Sequence, residues 1–365
     1  MRVQVDKRQL DGSLSLMQGV FSSRPAKPIE GYIHLWAGEG ALTLLVTNAD
    51  LDLRVTAPAE VTSAGAVLVL GQLFPGIVNN CPEGPLDLYT DGQLFRVEAP
   101  GAHFNLQTGP LADFPELEFI GPGDDAVVLD SKKLLTALEN VEYAAGKNSY
   151  QATLRGIKFE LAPGHLRTVA SDGFRIALSE FEAEFAGKRE FIVPVGAVRW
   201  LVKMLQAGDT EARVAAAEGV LRVRCGQADL NIRLLDGDFP DYWRSIPPEA
   251  RFTIELEASD LRRTLERVDV MTDKSTHHGV EFVITKDRLQ VLGESGLGRA
   301  VSELAVRSFG VEQPISLSLN AEFVIQAIRQ VKGAVALGIN SDTSPIVLSA
   351  ATPNSYKAVM LPLRI

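Results

Sequence analysis

The stretch LTLLVTNADLDLRV, Leu42–Val55, returns twice along the chain: as LRTVASDGFRIALS at Leu166–Ser179 and as LQVLGESGLGRAVS at Leu289–Ser302. Successive copies start 124 and 123 residues apart. In each copy an apolar run enters a turn rich in Asn, Asp, Ser or Gly and leaves as a strand, the pattern of a hairpin. Two further sets keep nearly the same spacing. One is a strand running into a helix: VQVDKRQLDGSLSLMQGVF at Val3–Phe21, VVLDSKKLLTALENVEYAA at Val127–Ala145 and FTIELEASDLRRTLERVDVM at Phe252–Met271. The other reads LVLGQLFPGIVNNCP at Leu68–Pro82, FIVPVGAVRWLVKML at Phe191–Leu205 and ISLSLNAEFVIQAIRQV at Ile315–Val331. Units of this size can each hold a core, unlike solenoid repeats. The 365 residues are therefore expected to divide into three similar domains, 1–122, 123–248 and 249–365.

Within each unit the helices show their period: Leu10, Leu14, Met17 and Phe21; Leu134, Leu138, Val141 and Ala145; Leu261, Leu265 and Val268. Asp130 and Ser259 are the expected N-caps. The remainder of each unit reads as about eight short strands, as in GQLFRVEA (Gly92–Ala99) and GVLRVRCG (Gly219–Gly226). The predicted class is α+β, with helices on one face of antiparallel sheet. Boundaries fall in the Pro/Gly-rich EFIGPGDDA (Glu118–Ala126) and SIPPEA (Ser245–Ala250). Ahead of them, Phe114-Pro115 and Phe239-Pro240 echo each other 125 residues apart. Equal units related by equal rotations can close into a ring, alone or with a second chain.

Apolar residues at 46% and charged residues at 22% exclude global disorder. Two cysteines, Cys81 and Cys225, exclude a disulfide framework and favour a reducing, cytoplasmic setting. No secretion signal or membrane span is expected, because no apolar run approaches the required length. The net charge of −10 does not advertise a nucleic-acid binder. Its distribution is uneven: residues 1–122 carry 7 basic and 14 acidic side chains, whereas residues 249–365 carry 13 and 14. Lys132, Lys133, Arg199, Lys203, Arg262, Arg263, Arg267, Arg329 and Lys332 lie on the polar sides of the predicted helices. They read either as solvated helix faces or as a shallow positive surface for phosphates.

Motifs of catalysis are missing: there is no GxxxxGK[ST], HExxH, GxSxG or CxxC. GESGLG (Gly293–Gly298) has the wrong spacing for a dinucleotide loop, and His277-His278 has no third ligand at metal spacing. Asp172, Asp236, Asp238 and Asp241 form the richest carboxylate set, but three of them crowd one turn. An enzyme using Asp172 and Asp241 is one rival reading, and a peptide-binding repeat protein without DNA is another. Two segments suggest binding. SDGFRIAL (Ser171–Leu178) is a tight turn opening a strand. AVMLPLRI (Ala358–Ile365) is either a final edge strand, marked by Pro362, or the lining of an apolar groove.

With SSRPAKPI (Ser22–Ile29), LADFPELE (Leu111–Glu118), TVASDGFRIA (Thr168–Ala177), LLDGDFPDYWRSIP (Leu234–Pro247), the terminal AVMLPLRI and the threefold repeat, the whole chain resembles the bacterial DNA polymerase III beta subunits, the sliding clamps. The resemblance implies a DNA clamp fold: three tandem repeats, each with two helices and antiparallel sheets, closing into a ring as a head-to-tail homodimer. It implies no catalytic residue, no metal and no cofactor. The ring would encircle double-stranded DNA regardless of sequence. It would serve as processivity factor for the replicative polymerase of the DNA polymerase III holoenzyme, and a clamp-loader complex would place it on DNA.

Other replication and repair proteins with a clamp-binding motif would share a pocket between domains 2 and 3, which takes short peptides bearing Gln and apolar residues. Carried over position by position, the pocket would comprise Leu154, Ser171, Gly173, Phe174, Arg175, Ile176, Pro240, Arg244 and Ser245. It would finish with Val359, Met360, Leu361, Pro362, Leu363 and Arg364. Apolar walls would take Leu and Phe side chains, while Arg175, Arg244 and Ser171 orient the peptide. DNA contacts would come from Arg24, Asn148, Tyr150, Arg199, Lys203, Arg263 and Lys332, and dimer contacts from Phe104, Val270 and Met271. Phe174 stands where the best-known member has His, and Ser245 where it has an apolar residue. The helix in LGQLFPGIVNN lacks Lys and Arg, and GESGLGRAVSE replaces a strongly acidic run.

Overall fold

The computed structural model describes residues 1–21, 25–121, 125–185, 187–273, 277–351 and 354–364. Each third of the chain runs through one order of elements: a strand, a helix, four or five strands, a second helix and three strands. The helices are α1 (Lys7–Met17), α2 (Phe74–Asn80), α3 (Ser131–Val141), α4 (Val195–Ala207), α5 (Ala258–Asp269) and α6 (Ala321–Ile328).

Local chemistry explains where these helices begin. Asp6 caps α1, its Oδ1 accepting from the amides of Arg8 and Gln9 at 3.0 and 3.4 Å. Asp130 does the same for α3 through Lys132 N at 2.9 Å. Ser259 is not a cap: α5 starts one residue earlier, after Glu257, whose side chain makes no capping bond. The strand Phe252–Glu257 runs straight into the helix, and the amide of Ala258 donates to Gly333 O at 2.9 Å, so a backbone carbonyl satisfies the amide there.

The chain forms two compact units, residues 1–132 with 197–234, and residues 133–196 with 235–365. The first unit holds two antiparallel sheets. One has five strands in the order Glu60–Ser63, Arg2–Asp6, Pro85–Asp91, Leu94–Ala99, Ala102–Gln107. The other has eight, in the order Val127–Asp130, Glu211–Ala217, Val220–Cys225, Ala228–Arg233, Leu51–Pro58, Ala41–Thr47, Tyr32–Gly38, Gly65–Leu70. Helix α1 packs its Leu10, Leu14 and Met17 into the core and lies against α2, whose Phe74 meets Phe95 edge-on at 5.7 Å.

The second unit has a nine-stranded sheet: Arg189–Pro194, Gly156–Ala162, Gly164–Ser171, Arg175–Ala183, Ser355–Met360, Ile346–Ala351, Ala334–Ile339, Phe252–Glu257, Arg307–Phe309. Its four-stranded sheet runs Gly298–Ala305, Arg288–Ser295, Gly279–Ile284, Ile315–Asn320. Helices α5 and α6 pack together through buried Leu261, Leu265 and Val268 and Val324, Ala327 and Ile328.

Each large sheet joins strands of two sequence repeats. Ala228–Arg233 pairs with Leu51–Pro58, setting Leu230 opposite Leu53. Ser355–Met360 pairs with Arg175–Ala183, setting Ala358 opposite Ala177. Leu53 and Ala177 are repeat equivalents, and Leu230 and Ala358 each face the matching residue of the preceding hairpin strand, Val223 and Leu348. Both joints therefore have one register. The last strand is interior to its sheet rather than an edge, and Pro362 lies beyond its end at Met360.

Candidate functional site

The turn Ser171–Arg175 is held by its own side chains. Asp172 Oδ1 accepts from the amides of Phe174 and Arg175 at 3.0 and 3.1 Å, and Ser171 Oγ accepts from Gly173 N at 3.1 Å and donates to Arg175 O at 2.8 Å. Gly173 has φ +93°, a conformation that favours glycine. The result lifts Phe174 into solvent at 66% exposure. The carboxylate of Asp172 is committed to this turn and to Arg175 Nε at 2.9 Å, and Asp241 pairs with Arg244 at 2.8 Å. These are structural and surface duties, and among the described residues no His, Cys, Asp and Glu cluster could hold a metal.

Beneath the turn lies an apolar cluster of Leu154, Val169, Ile176, Leu178, Ile192, Phe239, Tyr242 and Val359, with Leu235, Ile246 and Val347 against it. Three expected pocket residues, Leu154, Ile176 and Val359, belong to it. Met360 is also buried. Pro240 is half-buried, and Arg244 and Ser245 are exposed on the turn that carries Tyr242. The terminal segment folds back over this region: Leu361 N donates to Phe174 O at 3.2 Å, and Leu363 N to Ser318 O at 2.8 Å. Leu361, 46% exposed, and Phe174 thus stand as solvent-facing apolar groups linked through one backbone bond. Pro362 and Leu363 are half-buried and Arg364 is exposed.

Arg175 is held from several sides. Its Nε meets Asp172, its Nη1 meets Gln326 at 2.6 Å, and its Nη2 donates to Tyr143 O at 2.9 Å. Its guanidinium also lies over Phe323, 4.1 Å from the ring centroid. Every guanidinium nitrogen is engaged, so Arg175 fixes the turn. Nearby, Tyr143 and Tyr356 share a 2.8 Å hydroxyl contact, and burial pushes the Tyr143 hydroxyl up to about 12.

The anchor of the Pro240 turn is a residue outside the expected pocket set. Tyr242 donates to Glu160 Oε2 at 2.7 Å, and Glu160 also binds Lys158 at 2.8 Å and Arg167 at 3.0 Å. Burial and Glu160 push the Tyr242 hydroxyl far above its ordinary value. Trp243 lies under the Arg167 guanidinium, 4.7 Å from its centroid. Both aromatics sit in the quoted DFPDYW, so the signal was present, but no local pattern announces a hydroxyl reaching a glutamate 82 residues back.

Among the expected DNA contacts, Arg24 lies outside the described residues. Asn148 and Tyr150 are exposed, Tyr150 fully. Arg199 and Lys203 share the exposed face of α4, where Arg199 stacks on Trp200 at 3.8 Å. Arg263 is exposed on α5 and pairs with Asp260, and Lys332 is exposed just after α6. In the first repeat, Lys7 and Arg8 of α1 both bind Glu83, at 3.0 and 2.8 Å, and α2 has no cation. Of the expected dimer contacts, Phe104 and Met271 are half-buried and Val270 is 79% exposed. Leu297 and Val301, at 95% and 48%, add apolar surface that the motif comparison did not single out.

The repeat geometry has a counterpart among known families. Family models for the DNA polymerase III beta subunit match in series: the N-terminal domain at residues 1–118, the central domain at 128–241 and the C-terminal domain at 243–364. The chain belongs to the DNA polymerase III beta subunit family. Beta sliding clamps from Escherichia coli K12 and Salmonella typhimurium LT2 are 26% and 25% identical to it, each over the full length of both chains. The beta subunit of Thermotoga maritima superposes with a TM-score of 0.91 at 23% identity, covering 100% of this chain and 99% of that one. A Pseudomonas aeruginosa sliding clamp bound to griselimycin gives 0.93 at 22%, covering both chains fully. The clamp fold, three α+β repeats with antiparallel sheets, accounts for the joints described above.

Proposed function

We propose that this chain is a DNA sliding clamp, a non-catalytic processivity subunit that encircles duplex DNA and tethers the replicative polymerase. It is built of domains 1–122, 123–248 and 249–365. The observation that carries the reading is the pair of joints with one register. The repeat equivalent of Ala228–Arg233 in the first domain is Ala102–Gln107, the outer strand of the five-stranded sheet. The equivalent of Leu51–Pro58 in the third is Gly298–Ala305, the outer strand of the four-stranded sheet. A free edge of each kind remains, and two copies arranged head to tail satisfy both. Applying the internal register sets Phe104 of one copy opposite Ala300 of the other. The same register sets exposed Val301 opposite His103, and we place Val270, Met271 and Leu297 beside that joint.

The groove formed by Leu154, Phe174, Ile176, Val359 and Leu361 takes the apolar side chains of polymerase, clamp-loader and repair-protein peptides. Exposed bases Arg199, Lys203, Arg263 and Lys332, with Arg24, Asn148 and Tyr150, touch phosphates without reading bases. Among the described residues no helix is long and apolar enough to cross a membrane, and the replication role puts the protein in the cytoplasm. The test uses nicked circular DNA and a clamp loader. Loaded protein should survive high salt on circles and slide off after linearisation, because topology replaces affinity. Equal loss from both would reject encirclement. Retention without a loader would favour an ordinary DNA-binding protein.

A further inference from the structure

The joint between the first two repeats contains a groove of about 690 Å³ that this function leaves unused. It lies within the first compact unit. Its floor includes a row of residues facing one another across four neighbouring strands: Arg222, Asn231, Asp52 and Thr47. The row has a counterpart in the second unit, Val347, Val359, Ile176 and Ser171, paired in the same order. The backbone cradle is the same at both joints. Where one floor is apolar, the other offers a cation, an amide and a carboxylate.

Two of these residues carry a polar group without a partner. Asn231 lines the groove and is 5% exposed; its Nδ2 donates to Glu118 O at 2.7 Å, and its Oδ1 is buried without a partner. The bond to a carbonyl fixes which amide atom is left as the unpaired acceptor. Half-buried Arg222 has no hydrogen-bond or ion-pair partner among the described residues. Asp52 is satisfied by Thr47 Oγ1 at 2.6 Å and approached by Arg233 at 3.7 Å. Glu116 and Glu118 present exposed carboxylates on the wall. A buried acceptor without a donor is uncommon in folded proteins, and the groove volume lies in the range of ligand sites.

We propose that this groove is a second peptide-docking site, for an extended polar segment carrying one basic and one acidic residue. A backbone N–H of the segment donates to Asn231 Oδ1, its cation lies at Glu116 and Glu118, and its carboxylate meets Arg222. That the occupant is a peptide rests on reading the matching apolar cradle of the second unit as a peptide groove. Charge selects a different class of partner, so one ring offers apolar and polar docking at equivalent joints.

The test titrates full-length protein with the acetylated, amidated pentapeptide Gly-Lys-Ala-Glu-Gly and its neutral analogue Gly-Gln-Ala-Gln-Gly, read by saturation-transfer NMR. The charged peptide should bind, and the neutral one should bind about tenfold more weakly. Asn231→Leu and the paired Glu116→Gln/Glu118→Gln variant should each weaken the charged peptide by a similar factor. The surface pair keeps the test valid if Asn231→Leu unfolds. An excess of a QLxLF-type peptide should not displace it, nor should removal of residues 361–365. Absence of binding, equal binding of both pentapeptides, unchanged binding by the surface-pair variant, or displacement by QLxLF would each overturn the proposal. If QLxLF fails to bind while the charged peptide still depends on Glu116 and Glu118, the second-unit reading fails and this site stands.

Discussion

Changing Phe104 to Asp probes the closing joint directly. Its repeat counterpart Leu230 is 0% exposed where a joint is complete, whereas Phe104 remains half-buried in the single chain. Burying a large apolar side chain is worth about 1.5–3 kcal/mol. A two-chain ring contains the joint twice, and the substituted carboxylate would face Ala300, which has no charge to offer. The dimer should therefore weaken by about 3–6 kcal/mol, or about 10²–10⁴-fold. Sedimentation velocity over a dilution series measures this, with native protein dimeric at concentrations where Phe104→Asp is monomeric. A variant dimer as tight as native would refute the register. A positive control follows from the same geometry. Facing strand residues have Cβ atoms about 4.5–5.5 Å apart, so Phe104→Cys with Ala300→Cys should cross-link copies under oxidation. Cys81 and Cys225 should not interfere, because both are buried and burial pushes their thiols up.

Removing residues 361–365 should abolish binding of a QLxLF-type peptide yet leave the dimer intact, because Met360 closes the final strand; retained affinity by fluorescence anisotropy would move the site elsewhere. Arg175→Met strips donors from Asp172, Gln326 and Tyr143 O and should cost about 3–5 kcal/mol in denaturant unfolding. Arg244→Met, at a site 86% exposed, should change stability by less than about 0.5 kcal/mol; similar losses for the two would contradict the assigned roles. At Glu160, burial disfavours the charge, but hydrogen bonds from Lys158, Tyr242 and Arg167 outweigh it and hold the carboxyl below the ordinary range. Its contribution is therefore full above the unfolded value of about 4.3 and disappears as pH falls through the lower folded one. Glu160→Gln should lower stability at pH 7 and flatten the acid limb, and an unchanged acid limb would count against this network.

The element order could be read from sequence because a spacing near 124 residues carries helix period, turn residues and strand alternation together. The SDGF turn was legible for the same reason: Asp, Gly and Ser do their capping locally. Strand partnership was not. Ser355–Met360 looks like an edge by its neighbours in sequence, yet its second partner lies in the previous repeat, and local alternation reads the same for an edge or a central strand. Ser259 misled because a backbone carbonyl, invisible to sequence, serves the start of α5. The ties of Arg175 were not legible either, because nothing near it in sequence reveals Gln326 or Tyr143. The polar floor at Asn231 and Arg222 escaped notice because its residues come from four separate strands.

The shared strands also impose a timetable on synthesis. Arg54 meets Asp229 across the first joint, 175 residues later in the chain. At about 5–20 residues per second, the Leu51–Pro58 edge waits roughly 10–35 seconds on the ribosome before its partner emerges. Arg175–Ala183 then waits about as long for Ser355–Met360. Open apolar edges recruit other nascent chains, and Leu51, Leu53 and Val55 are interrupted by Asp52 and Arg54, which keep one face of the first waiting strand charged. Arg175–Ala183 has less protection, with Ile176, Ala177 and Leu178 in succession. The yield of soluble protein should thus track chaperone supply and translation speed during the second half of synthesis more closely than the stability of the finished fold.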